Sequence, residues 1–341
     1  MKEILPGIYL MPLTLSGFTP DSVNMYIIKT PEGLVSIDTG WDSPPAIVSM
    51  EKQLGEIGAT FSDIKKVLVT HGHIDHMGII PRLKETCGTK FYLPANEVDL
   101  IKTRFTDVDN FLPMTDAFLK THGVPAEELI PPEIQLPVPT NFITTKPDVL
   151  LYSGDEIKVG EYNLKVIGVP GHTPGHIAYY EPIKKFIFSG DMLLPTIATN
   201  AAFHVQLLDN PLKLYMESLL TLKALDIDLV LPGHEYVFSK PRRRIEELIR
   251  NQEKKAEEIR RIFDNGQVKT AYEVSRFLAK SSRTGFSNWD KMLGWERRFA
   301  VLQSVAHLEA LKCAGELRLE ERGGIYYYQP VALKPPSRKT P

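Results

Sequence analysis

Residues 70–76, with the sequence Thr-His-Gly-His-Ile-Asp-His, place three imidazoles and one carboxylate in one short stretch. His71 and His73 lie two positions apart, so both can bind one metal ion, while Asp75 and His76 are displaced enough to reach a second ion. Imidazole suits zinc, and a carboxylate among imidazoles is common at catalytic sites that keep a position open for water. Three of the chain's nine histidines fall within these residues, so we interpret the stretch as a metal site.

Four further residues that could do chemistry follow predicted strands. Asp38 alone could be a turn cap, but beside a metal cluster we interpret it as an acceptor that orients a ligating histidine. Asp191 could bridge two cations because a carboxylate has two oxygens. His176, at the start of another strand, is expected to have a structural or hydrogen-bonding role. The predicted strands and the residues after them are 34–37 with Asp38, 162–169 with His172, 185–188 with Asp191, and 228–232 with His234.

The elements around these residues predict an α/β fold. The β-branched run 64–69 precedes the histidine-rich stretch, so that stretch lies on a turn from a strand to a helix. Helical spacing of apolar residues predicts helices over 45–58 and 211–225, and the turn at 31–33 predicts a hairpin. Helices separate strands early and late in the chain, and β-hairpins lie in the middle. We therefore expect two sheets flanked by helices.

The chain has 341 residues, a length that suggests about two domains. Hydrophobic residues make up 43% of it and charged residues 24%, which is ordinary for a soluble globular protein. No apolar run approaches the roughly 18 residues of a membrane span. The first six residues carry an acidic residue and a proline, so no signal peptide is predicted. The two cysteines, Cys87 and Cys313, are too far apart to indicate a disulfide framework or a cysteine-based zinc site. These features predict a cytoplasmic protein without a membrane partner.

Residues 96–145 differ from the rest in having helical pieces, many prolines and no strong strand pattern. We interpret them as a helical insertion that could cover the site. Phe105, Phe111 and Phe118 are candidates for lining a substrate pocket, although each could simply pack the insertion down. His204 is close enough in sequence to Asp191 to be considered for the same pocket, but a lone histidine more often has no catalytic role.

The C-terminal part is basic and helical. Residues 241–341 contain 21 Lys and Arg against 13 Asp and Glu, a net charge of +8, and the remaining chain carries −10. This asymmetry supports a boundary near residue 240 and indicates either a polyanionic partner or docking of the basic part on the acidic part. The predicted elements are helices over 241–264, 270–278 and 296–314, followed by a hairpin formed by 316–319 and 325–328.

Over residues 1–240 the chain resembles the metallo-β-lactamase-fold hydrolase superfamily. The similar motifs are Asp-Thr-Gly at 38–40, the stretch 70–76, Gly-His-Thr-Pro-Gly-His at 171–176, Ser-Gly-Asp at 189–191 and Pro-Gly-His at 232–234. The resemblance implies an αββα sandwich with a dinuclear metal site. It implies one ion bound by His71, His73 and His172, a second bound by Asp75, His76 and His234, and Asp191 bridging them.

Asp191 stands where one common subclass of the true β-lactamases has a cysteine ligand, which argues against antibiotic hydrolysis as the main activity. The ligand set is instead similar to those of glyoxalase II, of acyl-homoserine lactonases and of RNA-processing members. The two ions are expected to be zinc, with iron or manganese as alternatives, because mixed imidazole and carboxylate sites accept all three.

The order of helices and hairpin after residue 240 resembles the winged-helix appendage of some members of the superfamily. We therefore expect a catalytic domain over 1–240, a small, mostly helical, winged-helix-like domain over 241–333 and a tail over 334–341. The last long helix carries few cations (Arg297, Arg298 and Lys312), too few for a convincing phosphate track. Structural support or homodimerisation is therefore preferred to nucleic-acid binding.

These features predict a metal-dependent hydrolase in which a hydroxide bridging two metal ions attacks the substrate. Asp75 and Asp191 are the catalytic candidates, Asp191 because it spaces the ions and Asp75 because it could also accept a proton. The preferred substrate is a small-molecule ester, thioester or lactone. The alternative is a phosphodiesterase or nuclease acting on RNA or DNA, which the basic C-terminal part supports and the acidic catalytic part does not.

Overall fold

The computed structural model divides the chain into two compact units. Unit 1 comprises Met1–Phe111, Leu136–Asn200 and Leu214–Ile249, and unit 2 comprises Leu112–Gln135, Ala201–Lys213 and Arg250–Pro341. The predicted tail over 334–341 and the proline-rich part of the predicted insertion over 130–144 lie outside the described residues. The structure describes residues 1–16, 20–129, 145–199, 201–205, 210–281, 289–292 and 294–331.

Unit 1 contains a seven-stranded sheet in which the strands follow one another in chain order. The first four strands pair antiparallel, including the hairpin predicted around residues 31–33, and the last four pair parallel. The strands are β1 (Lys2–Leu5), β2 (Ile8–Thr14), β3 (Ser22–Thr30), β4 (Gly33–Ile37), β5 (Ile64–Leu68), β6 (Lys90–Pro94) and β7 (Val149–Leu151).

A second sheet of six strands completes the strand content of unit 1 among the described residues. Its strands are β8 (Glu156–Val159), β9 (Tyr162–Gly168), β10 (Ile177–Glu181), β11 (Phe186–Gly190), β12 (Leu229–Pro232) and β13 (Phe238–Ser239), in the spatial order β13-β12-β11-β10-β9-β8. β11 and β12 run parallel, whereas the other neighbours are antiparallel. Because β11 and β12 are parallel, the residues that follow them emerge at the same edge of the sheet.

Helices occur where the periodic apolar residues predicted them, with ends shifted by a few residues. In the described part of the chain, no helix combines the length and apolar character needed to cross a membrane. The helices are α1 (Pro44–Glu56), α2 (Ile74–Met77), α3 (Ile80–Cys87), α4 (Val98–Ile101), α5 (Val108–Thr121), α6 (Pro211–Ala224), α7 (Arg242–Phe263), α8 (Ala271–Ser281) and α9 (Gly294–Cys313).

The core of unit 1 is layered, because alternate residues of a strand face opposite sides of a sheet. Met25 and Ile27 of β3 face a cluster that includes Met50 and Leu54 of α1. Tyr26, between them, faces the second sheet, where its ring meets Phe188 edge-on at a centroid distance of 5.2 Å. The layers of helix, sheet and sheet confirm the predicted α/β architecture.

Unit 2 has the predicted order of helices followed by a hairpin. The hairpin consists of β14 (Leu317–Arg322) and β15 (Ile325–Pro330), which pair antiparallel. Its apolar cluster joins residues of α8 and α9 to the buried Leu317 and Tyr328 of the hairpin. Residues 112–135 and 201–213 also belong to this unit, so its members come from three separate parts of the chain.

Candidate metal centre

The candidate site is formed at the carboxyl ends of β4, β5, β9, β11 and β12 in unit 1. β4 and β5 are parallel neighbours, so Asp38 and the histidine-rich stretch emerge at one sheet edge. The Asp38 carboxylate accepts hydrogen bonds from the Thr70 backbone N–H and hydroxyl, both at 2.7 Å, and thereby fixes the start of that stretch. His71 and His76 are completely buried. The strand ends therefore place the predicted residues in one buried region.

The first donor group consists of one side-chain atom each from His71, His73, His172 and Asp191. Nδ1 of His73 lies 3.0 Å from Nε2 of His71 and 3.0 Å from Nε2 of His172. The fourth donor atom is Asp191 Oδ2, which lies 3.5 Å from His172 Nε2 and 4.0 Å from His71 Nε2. Residues from three separate segments thus converge on one point.

The second donor group consists of Asp75, His76 and His234. Nε2 of His76 and Nε2 of His234 are 3.4 Å apart, and Asp75 Oδ2 lies 3.7 Å from the first and 3.4 Å from the second. Asp191 also reaches this group, with Oδ1 at 3.3 Å from His76 Nε2 and Oδ2 at 3.4 Å from His234 Nε2. The Asp191 carboxylate is therefore shared by the two donor groups.

The donor spacing fits metal ions. In a tetrahedral site with metal–nitrogen bonds of about 2.1 Å, neighbouring ligand atoms are separated by roughly 3.4 Å. The first donor group has separations of 3.0, 3.0, 3.5 and 4.0 Å, which bracket this value. The second has separations of 3.4, 3.4 and 3.7 Å. Both groups consist of imidazole and carboxylate donors, which zinc, iron and manganese accept.

In three of the rings, Nδ1 has a hydrogen-bond partner outside the donor groups, and Nε2 is left to face the donor groups. His76 Nδ1 lies 2.9 Å from Asp38 Oδ2, and His234 Nδ1 lies 2.7 Å from the Ser22 carbonyl oxygen. His71 Nδ1 is 3.0 Å from the Thr70 hydroxyl. Such contacts fix the tautomer and orientation of metal-binding imidazoles in proteins. Asp38 occupies the position expected of a residue that orients His76.

Charge differs between the two donor groups. Burial lowers the pKa values of His71 and His73 well below the usual value, and neighbouring imidazoles add to this effect, so both rings are neutral and can donate a lone pair. Burial also lowers the pKa of His234, but the carboxylate of Asp191 outweighs it and raises this pKa to about 10. The second donor group therefore attracts positive charge, as a cation site does.

His176 lies behind the first donor group. Its ring stacks on His71 at a centroid distance of 4.7 Å and an interplanar angle of 21°. Its Nε2 accepts a hydrogen bond of 3.1 Å from the Asp191 backbone N–H. It thus holds the start of the Asp191 loop, in keeping with the structural role expected from the sequence.

The candidate pocket residues are distributed over both units. Phe105 is buried in the core of unit 1, and Phe111 is half-buried in the same unit. Phe118 belongs to unit 2, where its ring stacks on Phe203 at 5.3 Å, and His204 is buried in that unit as well. The packing of Phe105 and Phe118 agrees with the simpler expectation that each packs its segment down, and a pocket-lining role stays a prediction.

Sequence reasoning missed Glu97, for which the local pattern indicates only the start of a helical piece. The structure buries this carboxylate completely against the loops that carry His73 and His172. Burial raises the pKa of Glu97, while backbone N–H groups of Gly72 and Gly175 oppose the rise. A buried acidic residue is rare unless it has partners, but only the folded chain shows which partners it has.

Gly175 packs directly against the segment that contains Glu97. A Cβ atom at Gly175 would lie 2.5 Å from the Asn96 carbonyl carbon and the Glu97 nitrogen. We expect Gly175→Ala to lower the free energy of unfolding by about 1–3 kcal/mol, because the backbone must shift to relieve the clash. Urea unfolding followed by circular dichroism measures this change.

Gly55→Ala is the matched control, because a Cβ there would meet nothing within 4 Å. Gly55 lies in α1, so alanine is expected to leave stability unchanged or to raise it by up to about 1 kcal/mol. Equal unfolding midpoints for Gly175→Ala and the unmodified protein would show that the contact is not tight in solution.

The comparison with family models decides the assignment of the fold. The model of the metallo-beta-lactamase superfamily matches residues 18–234, which include all the donor residues. The chain belongs to the metallo-beta-lactamase superfamily. Members of this superfamily typically hold a dinuclear metal site, and the two donor groups lie inside the matched region.

Relatives in the superfamily extend over nearly the whole chain. The probable metallo-hydrolase YqjP of Bacillus subtilis is 25% identical over 331 residues, covering 92% of this chain and 94% of the relative. The crystal structure of a metallo-beta-lactamase family protein from Thermus thermophilus matches with a TM-score of 0.81 and 26% identity, covering 96% of this chain and 100% of the other. The C-terminal helical region is therefore shared with other members.

A shorter match concerns a relative with a more specific name. The hydroxyacylglutathione hydrolase GloC of Haemophilus influenzae is 31% identical over 134 residues, which are 38% of this chain and 50% of the relative. This match is limited to part of each protein.

Proposed function

We propose that this protein is a dinuclear zinc hydrolase that acts on an ester, thioester or lactone bond of a small molecule. The observation that carries the proposal is the shared carboxylate of Asp191, whose oxygens lie 3.3–3.5 Å from His76, His172 and His234. We assign the first donor group to one ion and the second to another, with Asp191 between them. The carboxylate of Asp191 would contribute negative charge to both donor groups, which would favour the binding of divalent cations there.

In this proposal the metal ions would activate water, and neighbouring residues hold the metal-binding imidazole rings. Two neighbouring divalent ions, when bound, lower the pKa of water to about 7 and polarise the substrate oxygen. Asp38, Thr70 and the Ser22 carbonyl hold the imidazole rings in place, so the site needs little rearrangement when substrate arrives.

Asp75 is assigned to accept the proton released when water attacks the substrate. Burial raises the pKa of its carboxyl group, but His76 and His234 outweigh this effect and lower it, so the group is ionised at neutral pH. Its side chain is 23% exposed, more than that of Asp191 at 11%, and is thus the more accessible of the two carboxylates. An ionised, partly exposed carboxylate can act as a general base.

Carbonyl chemistry is favoured over phosphodiester cleavage by two observations. Relatives that match part of the chain are named hydroxyacylglutathione hydrolases, and an acyl group is joined to glutathione by a thioester bond. In the C-terminal part, where the excess positive charge over 241–341 indicated a possible polyanionic partner, many cations already have acidic partners. These pairs are Arg260–Glu316, Lys269–Glu273, Arg297–Glu128, Arg298–Asp116, Lys312–Glu309 and Arg322–Glu320.

For the rest of the chain we propose a catalytic domain over 1–240 and a winged-helix-like domain over 241–333, although residues 112–135 and 201–213 form one compact unit with most of the second domain. The helices α7, α8 and α9 and the hairpin that follows them support the second assignment, and the role of this domain would be structural support or homodimerisation. A cytoplasmic location agrees with the two separate free cysteines, of which Cys313 is exposed.

A substrate panel tests the proposal. Zinc-loaded protein is assayed with an aryl ester, a thioester, an acyl lactone and bis(p-nitrophenyl) phosphate. We expect turnover of carbonyl substrates, and we expect His73→Ala to lower kcat/KM by about 10³-fold, since removal of a ligand costs several kcal/mol of transition-state stabilisation. Measured zinc content should fall in the same variant.

Each other outcome of the panel contradicts part of the proposal. Turnover of the phosphodiester alone would contradict the small-molecule hydrolase proposal and support the nuclease alternative. Equal activity of His73→Ala and the unmodified protein would remove the metal assignment. Activity on none of the four substrates, with two zinc ions bound, would restrict the conclusion to metal binding.

A further inference from the structure

Glu97 lies at the end of a short 3₁₀ turn, Ala95–Glu97, that follows β6. The residue is completely buried, with 0% of its surface exposed. An ionised carboxylate is costly to bury unless hydrogen bonds and opposite charge compensate it. The positive charge of Arg104 lies near enough to act on Glu97. The hydrogen-bond partners of the two carboxylate oxygens therefore indicate how the buried charge is compensated.

Each oxygen of Glu97 accepts a hydrogen bond from a different loop. Oε2 accepts from the Gly72 backbone N–H at 2.6 Å, and Oε1 accepts from the Gly175 backbone N–H at 2.5 Å. Gly72 separates the first two histidines of the first donor group, and Gly175 lies three residues after the third histidine. The two loops are about one hundred residues apart in the chain, so one side chain connects distant segments.

Both loops use glycine where they meet the carboxylate. A Cβ atom at Gly72 would lie 2.7 Å from Glu97 Oε2, and one at Gly175 would lie 2.8 Å from Glu97 Oε1. Side chains at these positions would push the loops away from Glu97. Both contacts are therefore made by backbone N–H groups, and the side chain of Thr173, in the same loop as Gly175, also stabilises the ionised carboxylate.

Two spacings of 3.0 Å link the imidazole nitrogens of the first donor group, one within the Gly72 loop and one across to the Gly175 loop. A shift of either loop by a few tenths of an ångström would change that spacing. We infer that Glu97 is a positioning residue of the metal centre, which fixes the backbones at Gly72 and Gly175 and thereby the geometry of the first donor group. The inference rests on the proposed metal site.

Glu97→Gln is the variant that tests this role, because glutamine keeps the shape of the side chain. It replaces one acceptor oxygen by an NH₂ group that faces a backbone N–H, so one of the two hydrogen bonds is lost. Residues that hold metal ligands in place typically contribute 10–100-fold to metal affinity. We expect Co²⁺ added to chelator-treated protein to bind about 10–100-fold more weakly to the variant, with an altered visible absorption spectrum.

Two further variants complete the experiment. Glu51→Gln changes an exposed glutamate of α1 and serves as the matched control, for which unchanged Co²⁺ affinity is expected. Glu97→Ala removes both hydrogen bonds and should weaken Co²⁺ binding more than Glu97→Gln does. Amide hydrogen exchange at Gly72 and Gly175, measured by NMR without metal, should be faster in both Glu97 variants.

The outcomes separate this inference from the proposed function. Folded Glu97→Gln protein that binds Co²⁺ as the unmodified protein does, with unchanged exchange at both glycines, would overturn the inference. So would failure of both Glu97 variants to fold, because Glu97 would then be needed for the core and not for the site. Unmodified protein that binds Co²⁺ but hydrolyses no ester, thioester or lactone would contradict the hydrolase proposal and leave the role of Glu97 intact.

Discussion

Asp191→Asn is expected to lower kcat/KM by about 10³-fold or more and to reduce the bound metal from two ions to one or fewer. Asparagine has the shape of aspartate but lacks its negative charge. It would stand 3.3–3.5 Å from the nitrogens of His76, His172 and His234, where the structure shares one carboxylate between two donor groups. Steady-state kinetics and metal analysis of the purified variant measure both effects.

Asp99→Asn provides the matched control for the Asp191 experiment. Asp99 is an exposed residue of α4 in the same unit, so the same chemical change there should alter neither kcat/KM nor metal content. Retention of two ions and of more than one tenth of the activity by Asp191→Asn would show that its carboxylate does not link the two donor groups. A loss of folded protein would be visible by circular dichroism and is expected to be small because the substitution is isosteric.

Much of the candidate site could be predicted because its signals are local. A short apolar strand followed by His or Asp recurs along the chain, and the strands are confirmed as β4, β5, β9, β11 and β12. Residues that follow parallel strands emerge at the same sheet edge, so the recurrence itself indicated convergence. What the local pattern could not supply is the pairing of each residue with its neighbours.

Glu97 shows why part of the site was missed. Its partners are Gly72 and Gly175, which are 25 and 78 residues away in the chain. Nothing in the spacing of residues near position 97 indicates either contact, because the carboxylate acts on backbone groups and these carry no sequence signature. A buried charged residue is recognised only when the fold shows its burial.

Local sequence patterns also could not predict which segments of the chain belong to which unit. Residues 112–135 and 201–213 pack with the C-terminal helices, as the Phe118–Phe203 stack within unit 2 illustrates. The sequence pattern instead indicates that the first of these segments is part of an insertion in the catalytic domain. Amphipathic spacing predicts that a helix has an apolar face, but it does not predict which cluster covers that face.

Removal of metal is expected to lower the Tm by about 8 °C or more. The donor residues span positions 71–234, so the unfolded chain does not present them together and metal binding favours the folded state. An ion at a thousand times its Kd stabilises the folded state by about 4 kcal/mol, and each kcal/mol shifts the Tm of a unit of this size by roughly 2–4 °C. Calorimetry of zinc-loaded and chelator-treated protein measures the difference.

Asp191→Asn distinguishes a specific metal centre from a general effect of the chelator in the calorimetric experiment. Since Asp191 belongs to the first donor group and reaches the second, the difference in Tm between loaded and treated protein should shrink in this variant. The Asp99→Asn control should keep the full difference. A Tm that changes by less than about 2 °C when metal is removed from the unmodified protein would mean that the ions contribute under about 1 kcal/mol, too little for resident ions held by seven buried or half-buried ligands.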